Sequence, residues 1–183
     1  MDRYQEREIV RRHVREKQLT AAAAAAVLGM RRPGGEVLNI IRLLGNADPE
    51  VRKGAIRNLA GVGGSAAQAA IAKQAGDAEP GVRAEACRAL GRLRAHAAKR
   101  QLYDLLGDRR YEVCLAAAEA LAAMGDKHGL PYVVRLVCAG GIQQMPALRS
   151  FCQITGQKFP QNATGLAEAI RWIRFHEKDI MKF

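Results

Sequence analysis

"AEPGVRAEACRALGRLR" (residues 78–94) decides how this chain is read, because its pattern occurs three times. "ADPEVRKGAIRNLAGVG" (47–63) and "RRYEVCLAAAEALAAMG" (109–125) align with it without a gap. Val51, Val82 and Val113 are each 31 residues apart, as are Ala55, Ala86 and Ala117, and Leu59, Leu90 and Leu121. V-x-x-x-A-x-x-x-L puts three apolar residues on one face of a helix. The small central Ala admits a neighbouring helix closely. Asp48, Pro49 and Glu50 supply a helix start: a capping acid, a proline in the first turn and a second acid near the positive dipole end. Gly63 and Gly125 suit the turns that follow.

The other half of each unit predicts a second helix of the same period. Its apolar columns are Ile40, Ile71, Leu102 and Val133; Ile41, Ala72, Tyr103 and Val134; and Leu44, Ala75, Leu106 and Val137. Each unit is therefore a helical hairpin that needs neighbours to cover it. Stepping back one period from Val51, Ala55 and Leu59 gives Thr20, Ala24 and Leu28, so the alanine run "LTAAAAAAVLGM" (19–30) is the first helix of a first unit. "RRPGG" (31–35) turns into a helix beginning near Glu36. Downstream, Leu148, Cys152 and Gly156 continue the register loosely, "GQKFPQN" is a longer loop, and 163–180 is the last helix, with Leu166, Ile170 and Ile173 expected to face inward. The units are 20–45, 46–76, 77–107, 108–138 and 139–180. As domains, 1–18 is a basic N-terminal cap helix, 19–138 holds four repeats, and 139–183 is a degenerate fifth repeat with a capping helix.

Composition agrees. Abundant Ala and Leu with few prolines and aromatics favour an all-helical chain. The net charge of +11 suits an anionic partner: nucleic acid, an acidic protein surface or anionic lipid. Cys87, Cys114, Cys138 and Cys152 form no CxxC pair and are read as buried free thiols, which favours a reducing compartment and hence the cytoplasm. The Leu19–Met30 run is too short to cross a bilayer and lacks the flanks of a secretion signal, so no membrane insertion is expected.

The pattern D-x-x-P-x-V-R-x-x-A-x-x-A-L-x-x-(L/M)-G, matched best by "DAEPGVRAEACRALGRL" (77–93), resembles HEAT-like repeats of the short variety also seen in phycobilisome-lyase-type proteins. The resemblance covers about residues 19–156. "LRSFCQITGQKF" (148–159) followed by a Trp-bearing helix is similar to the closing segment of many bacterial HEAT-like proteins. The signatures of tetratricopeptide and ankyrin arrays are missing. The resemblance implies an all-α fold, an α-α superhelix (right-handed α-solenoid) of about five hairpins with an N-terminal cap helix. It implies first helices on the convex face and second helices on the concave face. It also implies that the Arg after Val braces adjacent repeats: Arg52 and Arg83, with Asp48, Asp77 and Asp108 as partners. In the fourth unit Cys114 takes the Arg position, which interrupts that ladder.

Catalytic chemistry finds little support. His13, His96, His128 and His176 do not share a register, and the single His-Glu pair, His176–Glu177, falls short of the convergent ligands of a dinuclear metal site. The expectation is no enzyme, no metal and no cofactor; a bilin-lyase-like or base-modifying activity is carried only as an alternative, since a shared scaffold does not transfer chemistry. On the second helices, the column opposite the buried stripe holds Arg42, Lys73, Asp104 and Arg135. With Lys99, Arg100 and Tyr132 it predicts a mostly basic concave ridge for binding an acidic protein. Arg11, Arg12 and Arg15 form an N-terminal basic arm, and Arg171, Trp172, Arg174 and Phe175 a docking cluster on the end helix. The expected function is a scaffold or assembly subunit that mediates protein–protein interaction. The alternative is nucleic-acid binding through the ridge and arm.

Overall fold

A computed structural model describes residues 35–180 and 182. The cap helix, the alanine run and the basic arm Arg11, Arg12 and Arg15 lie outside the described residues. Among the described residues the chain forms ten α-helices and no strand: α1 (Gly35–Leu43), α2 (Pro49–Val62), α3 (Gly64–Lys73), α4 (Pro80–Arg92), α5 (Lys99–Leu105), α6 (Tyr111–Ala123), α7 (Leu130–Cys138), α8 (Gln144–Thr155), α9 (Ala163–Phe175) and α10 (Glu177–Ile180). First helices of the expected hairpins are α2, α4, α6 and α8; second helices are α1, α3, α5, α7 and α9.

The chain divides into two compact units, Met1–Ala89 and Leu90–Phe183, with the boundary inside α4. In the first unit α2 packs on α1 and α3, and the two second helices α1 and α3 pack on each other. In the second unit α6 packs on α5, α7 and α8, while α9 packs on α7 and α8. Like helices thus stack on like, α1 on α3, α6 on α8, α7 on α9, as stacked hairpins require.

The register is visible in burial. Val51, Val82 and Val113, the three Ala one turn on, and Leu59, Leu90 and Leu121 are all buried. Each buried Leu stabilises the fold by about 1.5–3 kcal/mol. On the second helices the columns Ile40/Ile71/Leu102/Val133 and Leu44/Ala75/Leu106/Val137 are buried throughout. The column between them is not: Ile41, Ala72 and Val134 are half-buried and Tyr103 is exposed. Residues four apart lie almost above one another on a helix, whereas the next residue is turned by about 100° and falls on the flank.

Helix ends repeat as well. Gly63, Arg94, Gly125 and Gly156 are spaced by 31 residues and all have positive φ, at 74°, 47°, 79° and 77°. After α4, Ala95 N–H donates to Leu90 O and Arg94 N–H to Gly91 O; after α6, Asp126 N–H donates to Leu121 O and Gly125 N–H to Ala122 O. These are paired closing bonds of a Schellman cap. Arg94 therefore occupies a left-handed position that favours glycine.

At the loops, Asn46, Asp77 and Asp108 each accept the N–H two residues on, at 2.8–2.9 Å. Asp48 caps α2 by accepting from Glu50 N–H at 3.0 Å. The bracing partner of Arg52 is Asp77. Arg52 Nη1 also donates to Asn46 O and Ala47 O, and one period later Arg83 Nη1 donates to Asp77 O and Ala78 O. One period later again, Cys114 Sγ–H donates to Asp108 O at 3.1 Å. The thiol keeps one loop contact and loses the rest of the brace. Ala139 stands one period after Asp108, so the acid for the next joint is missing too.

Several expectations need correction. Cys87 and Cys114 are buried, but Cys138 is exposed and Cys152 is half-buried, because both sit on the flanks of their helices. In α8 the buried line is Ala147, Leu148, Phe151 and Ile154 rather than Leu148 and Cys152. In α9 it is Gly165, Ala169 and Ile173; Leu166 and Ile170 are half-buried. The end of the chain is also broken at His176 into α9 and α10.

Candidate functional site

In the Leu90–Phe183 unit the second helices carry three polar or mixed groupings. The first centres on Asp126, in the turn before α7, whose side chain is 8% exposed. Its Oδ2 accepts from Lys99 Nζ at 2.9 Å and from the Tyr103 hydroxyl at 2.5 Å. Its Oδ1 accepts from His128 N–H at 3.1 Å and lies 2.6 Å from His128 Nδ1. The His128 and Tyr103 rings meet edge to face. Burial alone would raise the Asp126 carboxyl; hydrogen bonds from Tyr103, Lys99 and His128 together hold it far below the usual carboxylate range. The same bond to Asp126 pushes the Tyr103 phenol up. Lys99 begins α5, where the helix dipole disfavours a cation, and Asp126 compensates that placement.

The second grouping is on α7. The Arg135 guanidinium lies over the Tyr132 ring, 5.3 Å from its centre. The third is a cleft of about 220 Å³ walled by α7, α9 and α10. Val134, Ile173 and Ile180 line its apolar part, with Cys138, Arg135, Arg174 and Glu177 beside them. Burial pushes the Cys138 thiol up; Arg174 opposes that shift and Glu177 adds to it.

The expected site residues separate accordingly. Arg42 and Lys73 are exposed in the first unit, and Arg42 Nη1 donates to Asn39 at 3.2 Å within its own helix. Arg100 and Arg135 are exposed in the second, while Lys99 is engaged by Asp126. Arg171 and Arg174 are exposed on α9, and Phe175 is 86% exposed. Trp172 is half-buried: it meets Phe151 and Phe159 edge to face and stacks on His176 at 4.0 Å. That aromatic group closes the end of the hydrophobic core around the fully buried Phe151. Among the described residues no three His, Cys, Asp or Glu side chains gather as metal ligands. No described helix is long and apolar enough to cross a membrane.

Sequence reasoning missed the Asp126 cluster, yet a signal was present. One period earlier, Lys99 and Asp126 correspond to Gln68 and Ala95. Two register positions that turn charged together, with opposite signs, mark a pair.

A family model for HEAT repeats matches residues 38–122 and 69–139, more than half of the chain. The chain belongs to the HEAT-repeat family, whose helical hairpins stack as an α-solenoid. No curated protein matches it. Among solved structures, an engineered protein determined by a structural genomics consortium is similar over 95% of this chain and 92% of its own, at 20% identity and a TM-score of 0.44.

Proposed function

We propose that this protein is a non-enzymatic HEAT-repeat scaffold or assembly subunit. It binds an acidic protein surface through its second helices and end helix. The observation that carries this reading is that Lys73, Arg135 and Arg174 stand exposed without a carboxylate partner among the described residues. Repeat scaffolds bury their hydrophobic stripes against one another and leave the outer columns to partners. Unpaired cations there favour encounter with an acidic surface and raise the association rate. Free thiols at all four cysteines support a reducing compartment, and with it the cytoplasm.

Affinity purification from the native host followed by mass spectrometry tests the proposal, with a stoichiometric protein as the expected result. Arg42→Glu, Lys73→Glu and Arg135→Glu together should weaken its retention and leave helicity by circular dichroism unchanged. Recovery of nucleic acid alone, with salt-dependent binding to duplex or single strands, would overturn the scaffold reading in favour of nucleic-acid binding.

A further inference from the structure

The cleft between α7, α9 and α10 combines an apolar lining with two guanidinium groups that have no anionic partner among the described residues. We propose that it is a docking site for a protein segment that presents one bulky apolar side chain next to a carboxylate. This rests on the scaffold reading above.

Size argues first. The cleft holds about 220 Å³. Sites that enclose a whole small molecule or cofactor run to about 300–1,000 Å³. The smaller volume suits a single large side chain, the way a helix or extended peptide anchors on a partner. Val134, Ile173 and Ile180 provide an apolar surface for that anchor.

Charge argues second. Arg135 comes from α7 and Arg174 from α9, and both are exposed. Neither makes an ion pair among the described residues. The Arg135 guanidinium already rests on Tyr132, so less side-chain freedom is lost when it takes up a carboxylate. Glu177 lines the same cleft. Two guanidinium groups against one carboxylate leave a small positive excess, matched by one anionic group rather than a polyanion. A nucleic-acid strand, with a phosphate at every residue, would set one of them against Glu177. It also offers no aliphatic side chain for the apolar lining.

Cys138 turns the cleft into its own reporter. It lines the site and is exposed, whereas Cys87 and Cys114 are buried. In a Cys152→Ser background it is the accessible thiol.

The experiment is selection of a phage-displayed random-peptide library on the full-length chain. Enriched sequences should place an aromatic or aliphatic residue within two positions of an Asp or Glu. The synthesised best peptide should lose about tenfold or more in affinity for the Arg135→Glu/Arg174→Glu variant. Both side chains are exposed, so the fold should tolerate that change, and circular dichroism checks it. The peptide should also slow iodoacetamide alkylation of Cys138 severalfold in the Cys152→Ser background. Enriched peptides without a carboxylate, undiminished binding to the double variant, or unaltered alkylation of Cys138 would each overturn the proposal. A native protein partner retained fully by the double variant overturns the cleft assignment and leaves the scaffold reading standing. Recovery of nucleic acid alone from the host overturns the scaffold reading whatever the peptides do.

Discussion

Arg52 grips the carboxylate of Asp77, 25 residues further on, with Nε and Nη2 each at 2.8 Å, while its third nitrogen holds two carbonyls of its own loop. The two side chains are 14% and 9% exposed, so the pair is largely removed from water. Arg52→Ala would leave the largely buried Asp77 carboxylate without its guanidinium and free two loop carbonyls. It should cost about 2–4 kcal/mol in urea denaturation. Arg52→Lys restores the charge without the fork and should recover less than half of that loss.

Acid should loosen the fold through its held carboxylates. Burial alone would raise Asp77, but the hydrogen bond from Arg52, the Glu79 N–H and the charges of Arg52 and Arg83 hold it below the usual range; Asp126 is lowered likewise. Groups with a depressed folded pKa stabilise fully above the unfolded value, about 3.9, and that contribution disappears as pH falls through the folded one. Stability measured by urea titration should therefore hold between about pH 7 and 5 and drop steeply below about 4. In Asp126→Asn the drop below that point should be shallower.

Arg94 adopts φ 47° where the equivalent positions one period before and after are glycine. Arg94→Gly relieves a left-handed non-glycine conformation worth about 1–2 kcal/mol, offset in part by the greater freedom of glycine in the unfolded chain. A net gain of about 0.5–1 kcal/mol is expected, seen as a higher melting temperature in calorimetry.

Gly129 marks a close approach of the α7 turn to α6. A Cβ there would sit 2.7 Å from both Cα and Cβ of Ala118 and 3.3 Å from Leu106. Ala118 is itself buried and its backbone cannot yield cheaply. Gly129→Ala should cost about 1–3 kcal/mol by chemical denaturation, an overpacking penalty that an exposed-site Gly→Ala change does not carry.

The repeat register was legible because burial selects it. Val82, Ala86 and Leu90 recur at fixed spacing since each must meet the same neighbour in the next hairpin. What the spacing left open was the flank. Ile41 and Tyr103 share a column, but nothing in their period tells how far that flank is covered: Ile41 is half-buried and Tyr103 exposed. Trp172 is grouped by sequence with Arg171, Arg174 and Phe175 as an exposed docking cluster, yet its ring is half-buried. Its contacts with Phe151 and Phe159 depend on how the long loop 156–162 folds back, which no periodicity encodes. The Asp126 cluster joins residues of α5 to the turn before α7 through aperiodic changes, so a search for repetition passes over it.

Cys114 gives the array an uneven mechanical character. A forked guanidinium resists separation of neighbouring loops, since pulling them apart must break several hydrogen bonds at once. Where a thiol stands instead and Ala139 faces it in register, that resistance is missing. The hairpin of α8 and α9 is then held by packing on α6 and α7, by the Ser150 hydroxyl donating to Glu119 and by Gln144 Nε2 donating to Val137 O. Under a load applied at its last helix, the Leu90–Phe183 unit should yield at that joint first, like a spring with one soft coil.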